Sequence, residues 1–307
     1  MGAVSSRRGL PDGVLGMARR GPDWAAWVDR LPGVVDALLD EWQLTTDGWM
    51  MHGFCALVVP VRTSSGRPAV VKVAFPDEES EHEHLALQHW HGHGAVELLR
   101  ADPHREAMLL ERLHPERLTE VDDLEACEVV VGLYAQLHVR ALPQLRPLTG
   151  FVDQWAAELE ALPRNAPLPR RLVEQAVSLS RDFVVDPAST GTMIHTDLHY
   201  ENVMAADRQP WLAIDPKPVS GDPHYEIAPM LWNRFEELAG DVRDGVRRRF
   251  HQLVDHAAFD EDRARDWVVV RMMDNALWRL QDEPEQRVAA TDEYLTTCIA
   301  VAKAVQD

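Results

Sequence analysis

The chain has 307 residues, 46% of them hydrophobic, and 50 acidic side chains against 31 Lys and Arg give a formal net charge of −19. That apolar content supports one large domain or two lobes, while the negative charge excludes nucleic acid and anionic membranes as partners and would draw a cationic ligand into a concave site. An acidic surface also serves solubility alone.

Apolar runs such as VVVGLYAQL fall short of the roughly 20 residues that span a bilayer, and no charged-then-apolar leader opens the chain, so a cytoplasmic protein is expected. Cys55, Cys127 and Cys298 are too far apart for a disulfide framework or a metal knuckle, which fits a reducing compartment. Met1, Gly2 and Ser6 match the N-myristoylation pattern. So short a pattern recurs by chance, and residues 1–22, rich in Gly, Arg and Ser, read as a flexible tail.

In chain order, Val34, Val35, Leu38, Leu39 and Trp42 recur at helical spacing after Pro32, a residue suited to a first turn. FCALVVPV and AVVKVAF read as an antiparallel strand pair joined by RTSSGRP, residues 77–91 as a helix, and VELLR with AMLLE as two further strands. From Asp122 the pattern becomes helical without a breaker until Pro143, and helices follow near 151–161, 169–184, 225–238, 241–258, 261–281 and 290–305. VMAA and WLAI form one embedded hairpin. The expectation is an α+β bilobal fold: a small antiparallel-sheet lobe over 23–112, a larger helical lobe over 113–307, and a site where they meet.

The chemistry concentrates in IHTDLHYENV, residues 194–203. If the run is extended, His195, Asp197 and His199 share one face and resemble a facial metal triad. If it is a loop, it matches the protein-kinase pattern H-x-D-L-x-x-x-N, with Asp197 as proton acceptor and Asn202 as a magnesium ligand. Downstream, WLAI ends at Asp215, where a second carboxylate would hold the metal. Upstream, Lys72 alternates with valines on a strand, and a buried lysine there requires an anionic partner. Phosphoryl transfer needs this set, because metal and lysine neutralise the phosphates while a carboxylate orients the attacking hydroxyl.

HTDLHYENVM, WLAIDPKPVSGDPHYEIAP and MLLERL resemble the aminoglycoside and hydroxyurea antibiotic-resistance kinases, most closely their streptomycin-phosphorylating branch. The resemblance implies a protein-kinase-like fold, ATP and Mg2+ as cosubstrates, and phosphorylation of a hydroxyl on a small cationic antibiotic by a monomer or weak homodimer. It assigns the base to Asp197, the metal to Asn202 and Asp215, and the α/β-phosphates to Lys72, with Glu83 as the lysine's partner in preference to Glu79. Glu111 to Leu113 match the adenine-binding hinge, His199 stands where protein kinases place a phosphate-contacting lysine, and Asp222 would brace the metal loop. Two departures are visible. Only Gly48 and Gly53 in DGWMMHGF precede the first strand pair, so the phosphate-covering loop follows another backbone path, and Thr196 replaces the family's usual glycine between His and Asp.

Other groupings have plainer readings. Of the histidines in EHEHLALQHWHGHG only His89 and His93 sit one helical turn apart, near the helix-ending Gly92 and Gly94, which favours a solvated face over a metal site. Arg247, Arg248 and Arg249 point three ways on a helix and read as solvated or salt-bridged. Candidates for binding the acceptor are Glu226, Trp232, Asn233, Glu236, Asp274 and Trp278, with Asp274 the best anchor for a guanidinium or amine and Trp278 equally suited to core packing. Two rivals share these residues or the fold: a metabolic small-molecule kinase, and a nucleotide-binding regulator without turnover, which would not need the full proton-and-metal set.

Overall fold

A computed structural model describes residues 9–281 and 290–306. It divides into two compact units, Met1–His114 and Pro115–Asp307. The myristoylation pattern at Met1, Gly2 and Ser6 lies outside the described residues.

The first unit runs α1 (Asp12–Met17), α2 (Pro22–Glu41), β1 (Thr45–Thr46), β2 (Met51–His52), β3 (Ala56–Arg62), β4 (Pro68–Ala74), α3 (Glu83–Trp90), β5 (Leu98–Asp102) and β6 (Ala107–Glu111). Its strands form one antiparallel sheet in the order β1-β3-β4-β6-β5, with β2 also paired to β3. Strand alternation sends Leu57, Val59, Val61, Val71 and Val73 into one buried cluster with Val14, Val28, Leu31, Val35 and Leu38 of the two helices. Lys72, of opposite parity between Val71 and Val73, is thereby assigned to the other face. Burying each such aliphatic side chain contributes about 1.5–3 kcal/mol.

Three expectations are corrected here. Part of the supposed tail, residues 12–20, is helical, with Leu10, Val14 and Met17 buried in the cluster; their apolar spacing is diluted by the surrounding Gly and Arg. The second helix starts at Pro22, which takes the first-turn position, and Pro32 lies inside it. A proline there removes one N–H from the ladder at a cost of about 3 kcal/mol, which burial of Trp27, Val28, Leu31, Val35 and Leu38 outweighs. The Trp27 indole N–H also donates to Ala74 O at 3.0 Å and ties the helix to the sheet. Finally, the expected helix over 77–91 begins only at Glu83. Asp77 Oδ1 takes the Ser80 N–H at 2.8 Å and holds the preceding residues in a turn.

The second unit runs α4 (Asp123–Leu137), β7 (Val139–Arg140), α5 (Leu148–Ala161), α6 (Arg170–Val185), β8 (Thr192–Ile194), β9 (Val203–Ala205), β10 (Trp211–Ala213), β11 (Val219–Gly221), α7 (Ala228–Trp232), α8 (Val242–Ala257), α9 (Glu261–Gln281) and α10 (Ala290–Ala304). β9 and β10 form the expected hairpin, with Val203 opposite Ala213. A second small sheet, β11-β8-β7, has strands too short to show a periodicity in the sequence. Beneath it Leu148, Val152, Ile194, Val219, Tyr225 and Val270 pack around Phe183 and Trp267, whose rings stack at 3.8 Å. The expected helix over 225–238 is broken into α7 between two short 3-10 segments, with Arg234 in the left-handed region at φ 54°. Arg249 causes the break. Its buried guanidinium donates to Asn233 O at 2.8 Å and Arg234 O at 3.2 Å, carbonyls that a continuous helix would use itself. Among the described residues no helix is long and apolar enough to cross a membrane.

Candidate active site

In the first unit, Lys72 on β4 meets Glu83 at the start of α3. Its Nζ lies 2.7 Å from both carboxylate oxygens, with Lys72 9% and Glu83 2% exposed. Burying either charge alone would be costly, so each accounts for the other. Glu79, the alternative partner, is exposed and precedes the helix. At the end of β6, Glu111 donates its N–H to Glu97 O at 3.0 Å and accepts the Glu97 N–H on Oε1 at 2.7 Å. Its amide is therefore committed, and the half-buried Leu113 is the nearer candidate for a hinge contact. In DGWMMHGF, Gly48 has φ 140° and Trp49 and Phe54 are 93% and 80% exposed.

In the second unit, residues 195–199 form a loop between β8 and a 3-10 turn over Tyr200–Asn202. It is fastened along its length to the loop after β10: Ile214 N–H donates to Asn202 O at 2.9 Å and Lys217 N–H to His195 O at 3.0 Å. His195 is fully buried, donates from Nε2 to Ile214 O at 3.0 Å and accepts the Asp197 N–H on Nδ1 at 3.3 Å. Burial lowers its pKa and favours this neutral tautomer. With both nitrogens bonded to main chain, His195 cannot join a metal triad, and the alternate-face reading of this run is withdrawn. Among the described residues no group of three or more His, Cys, Asp or Glu is placed to hold a metal ion alone.

Thr196 has φ 64°, a left-handed conformation in which a β-branched residue is strained. Two hydrogen bonds hold it there: its N–H donates to Glu226 Oε1, and its hydroxyl donates to Lys217 O at 2.7 Å. A glycine at this position would adopt the same φ freely. Glu226 is fully buried, its Oε2 accepting from His138 Nε2 at 2.9 Å. That corrects its reading as a ligand for the acceptor, since it is spent on bracing the loop.

Asp197 is 19% exposed, and both its carboxylate oxygens have neighbours. Oδ2 accepts from Lys217 Nζ at 3.0 Å and from Asn202 Nδ2 at 3.2 Å, while Oδ1 stands 3.6 Å from His199 Nε2. Asn202 Nδ2 also donates to Asp197 O at 2.8 Å, which fixes the amide orientation and turns Oδ1 away as the acceptor atom. Asp215 follows Ile214, the residue bonded to both His195 and Asn202, and takes φ 58°, which Asp tolerates. Burial lowers the pKa of His199, so near neutral pH its ring hydrogen-bonds rather than supplying positive charge.

Lys217 was not singled out from the sequence, although it sits in the quoted IDPKP. Nor was Tyr294, whose pKa is pushed up to about 12 by burial and by the nearby Cys298, with Asp274 and Asp197 adding to the rise. The remaining expected acceptor residues scatter. Asn233 spends its side-chain N–H on Pro229 O at 2.9 Å, and Trp232 packs under Arg271, whose guanidinium carbon is 5.6 Å from the ring. Asp274 is 8% exposed on α9, Glu236 is exposed, and Trp278, at 59%, is not a core residue. Asp222 accepts from Trp267 Nε1 at 2.7 Å and from Arg263 and His224; it anchors the start of α9 rather than the metal loop. Of the arginine run, Arg248 pairs with Asp241 at the surface, whereas Arg249 is fully buried, against the solvated alternative.

An antiparallel sheet carrying a buried lysine–glutamate pair, followed by a helical unit with the Asp197–Asn202 loop, defines a protein-kinase-like fold. Solved structures share it: aminoglycoside phosphotransferase APH(4)-Ia at TM-score 0.59 and 14% identity, covering 88% of this chain and 98% of that one, and choline kinase LicA from Streptococcus pneumoniae at 0.60 and 11%, covering 90% and 99%. More narrowly, the chain belongs to the aminoglycoside/hydroxyurea antibiotic resistance kinase family, which it matches over residues 41–283. It is 41% identical over 271 residues to streptomycin 6-kinase of Streptomyces glaucescens, covering 85% of this chain and 87% of that one. To hydroxyurea phosphotransferase of Kitasatospora aureofaciens it is 39% identical over 283 residues, covering 88% and 80%. The chain is an ATP-dependent small-molecule kinase.

Proposed function

We propose that this kinase transfers the γ-phosphoryl group of ATP to a hydroxyl of streptomycin, with Asp197 as the proton acceptor. The observation that carries the reading is the Asp197 carboxylate, held through Oδ2 by Lys217 and Asn202 with Oδ1 3.6 Å from His199 Nε2. In the transfer, the acceptor O–H bond breaks and its proton passes to Asp197. The oxygen bonds to the γ-phosphorus, and the bond from that phosphorus to the β-bridging oxygen breaks, leaving its electron pair on ADP.

Lys72, held straight by Glu83, binds the α- and β-phosphates, and the hinge at Glu111 to Leu113 holds adenine through main-chain groups, Leu113 foremost. Asn202 Oδ1 and the Asp215 carboxylate are hard oxygen donors suited to Mg2+, which takes few protein ligands and completes its shell with phosphate oxygens and water. When bound, the ion neutralises phosphate charge. His199 donates a hydrogen bond toward the transferred group. For the acceptor, Asp274 and Glu236 supply negative charge to the guanidinium groups, in keeping with the net charge of −19. The protein works in the cytoplasm without nucleic acid or membrane.

Purified protein incubated with ATP and Mg2+ should release ADP with streptomycin and leave other aminoglycosides, hydroxyurea, viomycin-like peptides and simple alcohols nearly unreacted. Phosphorus NMR of the product then identifies the hydroxyl. Release of ADP with a common metabolic alcohol alone would replace this reading with that of a metabolic kinase.

A further inference from the structure

We infer that Lys217 is a positioning residue of the transfer step. It fixes the Asp197 carboxylate through Oδ2 so that Oδ1 is the oxygen that takes the acceptor's proton. This rests on Asp197 acting as the base in the reading above.

A lysine side chain that is 37% exposed on a loop ordinarily extends into water. This one is directed inward by its backbone. Pro216 fixes its own φ and Pro218 disfavours helical geometry at Lys217, so the stretch is stiff before any contact forms. The main chain of Lys217 is then fastened at both ends to the residues just before Asp197: its N–H donates to His195 O at 3.0 Å, and its carbonyl accepts the Thr196 hydroxyl at 2.7 Å. The side chain completes the connection at Asp197 Oδ2, 3.0 Å away. Residues 195, 196 and 197 are each held by a different atom of one lysine.

The consequence for the reaction is geometric. Oδ2 is shared between an ammonium and the Asn202 amide, whereas Oδ1 stands at the longer distance of 3.6 Å from the ring nitrogen of His199. A carboxylate turned about its Cβ–Cγ bond would exchange the two oxygens, and the ammonium opposes that turn. Holding a base within a few tenths of an ångström of its working position is the kind of contribution that shows in turnover rather than in substrate binding.

Lys217→Met, Lys217→Arg, Asp197→Asn and the Asp197→Asn/Lys217→Met pair should be compared with the wild type for transfer to streptomycin, for nucleotide affinity by fluorescent-analogue titration, and for melting temperature. Lys217→Met should lower kcat by roughly a hundredfold with both KM values within about threefold, and Lys217→Arg should recover at least about tenfold of that loss. The double variant should be no slower than Asp197→Asn, since a positioning lysine acts through the aspartate it holds. A kcat within about threefold of wild type for Lys217→Met, or a multiplied loss in the double variant, would overturn the inference and leave the function standing. A wild type that transfers phosphate to no acceptor, or an Asp197→Asn variant as fast as wild type, would remove the functional reading and the inference with it.

Discussion

Asp197 and Thr196 are neighbours with opposite economies: one is the proton acceptor of the proposed transfer, the other is strained so that the loop holds its shape. Asp197→Ala should keep ATP binding near wild type while lowering turnover about a hundredfold or more, the scale of losing a general base. Equilibrium nucleotide titration beside steady-state kinetics checks both halves. For Thr196, the left-handed backbone costs on the order of 1–2 kcal/mol in a β-branched residue, and the hydroxyl bond to Lys217 O offsets part of it. Thr196→Val keeps the branch and the strain but deletes the hydroxyl, leaving a carbonyl without that partner, so it should destabilise the protein by about 1–2 kcal/mol. Thr196→Gly, which removes the strain with the bond, should fall closer to wild type. Chemical denaturation of the two variants separates these outcomes.

Among the elements, the motif-bearing ones were the most legible. Lys72 between valines, the D-x-x-x-x-N spacing and the β9–β10 hairpin could all be read because each has a strict local pattern tied to its chemistry. What escaped depends on distant partners. Glu226 reads in the sequence as a candidate for binding the acceptor, yet it is buried, and His138 and the Thr196 amide reach it from other elements. The break around Asn233 and Arg234 likewise has no local signal, since the guanidinium that imposes it arrives from α8. Lys217 was overlooked because a lysine between two prolines carries no motif; its meaning comes from the loop lying alongside. Arg249 tests how far such a long-range tie matters. Its Nε donates to Asp123 Oδ2 at 2.7 Å, and Asp123 also accepts the Tyr200 hydroxyl, so one buried cation joins α8, α4 and the turn that follows the loop carrying Asp197. Arg249→Met should cost about 3–5 kcal/mol, the scale of breaking a buried pair and removing the guanidinium from Asp123 and three carbonyls. It should also lower kcat by loosening Tyr200. Full stability with unchanged turnover would show that the tie is dispensable.

At the scale of the whole molecule, the three cysteines report on its two units separately. Cys127 on α4 and Cys298 on α10 are 0% and 1% exposed, and burial pushes each thiol up to about 12. Thiolate is the reactive form, so burial and the raised pKa both slow the reaction of either thiol near neutral pH. Cys55, in the first unit, is only half-buried, with an Arg20 nitrogen 4.0 Å from its sulfur. A disulfide-exchange reagent should therefore modify one thiol quickly in the native protein, identified as Cys55 by peptide mapping, and all three in denaturant. With rising urea, Cys127 and Cys298 should become reactive at one concentration, because they lie in a single packed unit and are exposed by the same opening. Adding ATP and Mg2+ should raise that concentration if the second unit contributes to nucleotide binding, since a ligand that binds only the folded state stabilises it by mass action. A urea midpoint for Cys127 and Cys298 that ATP and Mg2+ leave unmoved, while Lys72→Met weakens nucleotide binding, would place the whole binding energy in the first unit. It would take Asn202 and Asp215 out of the metal site.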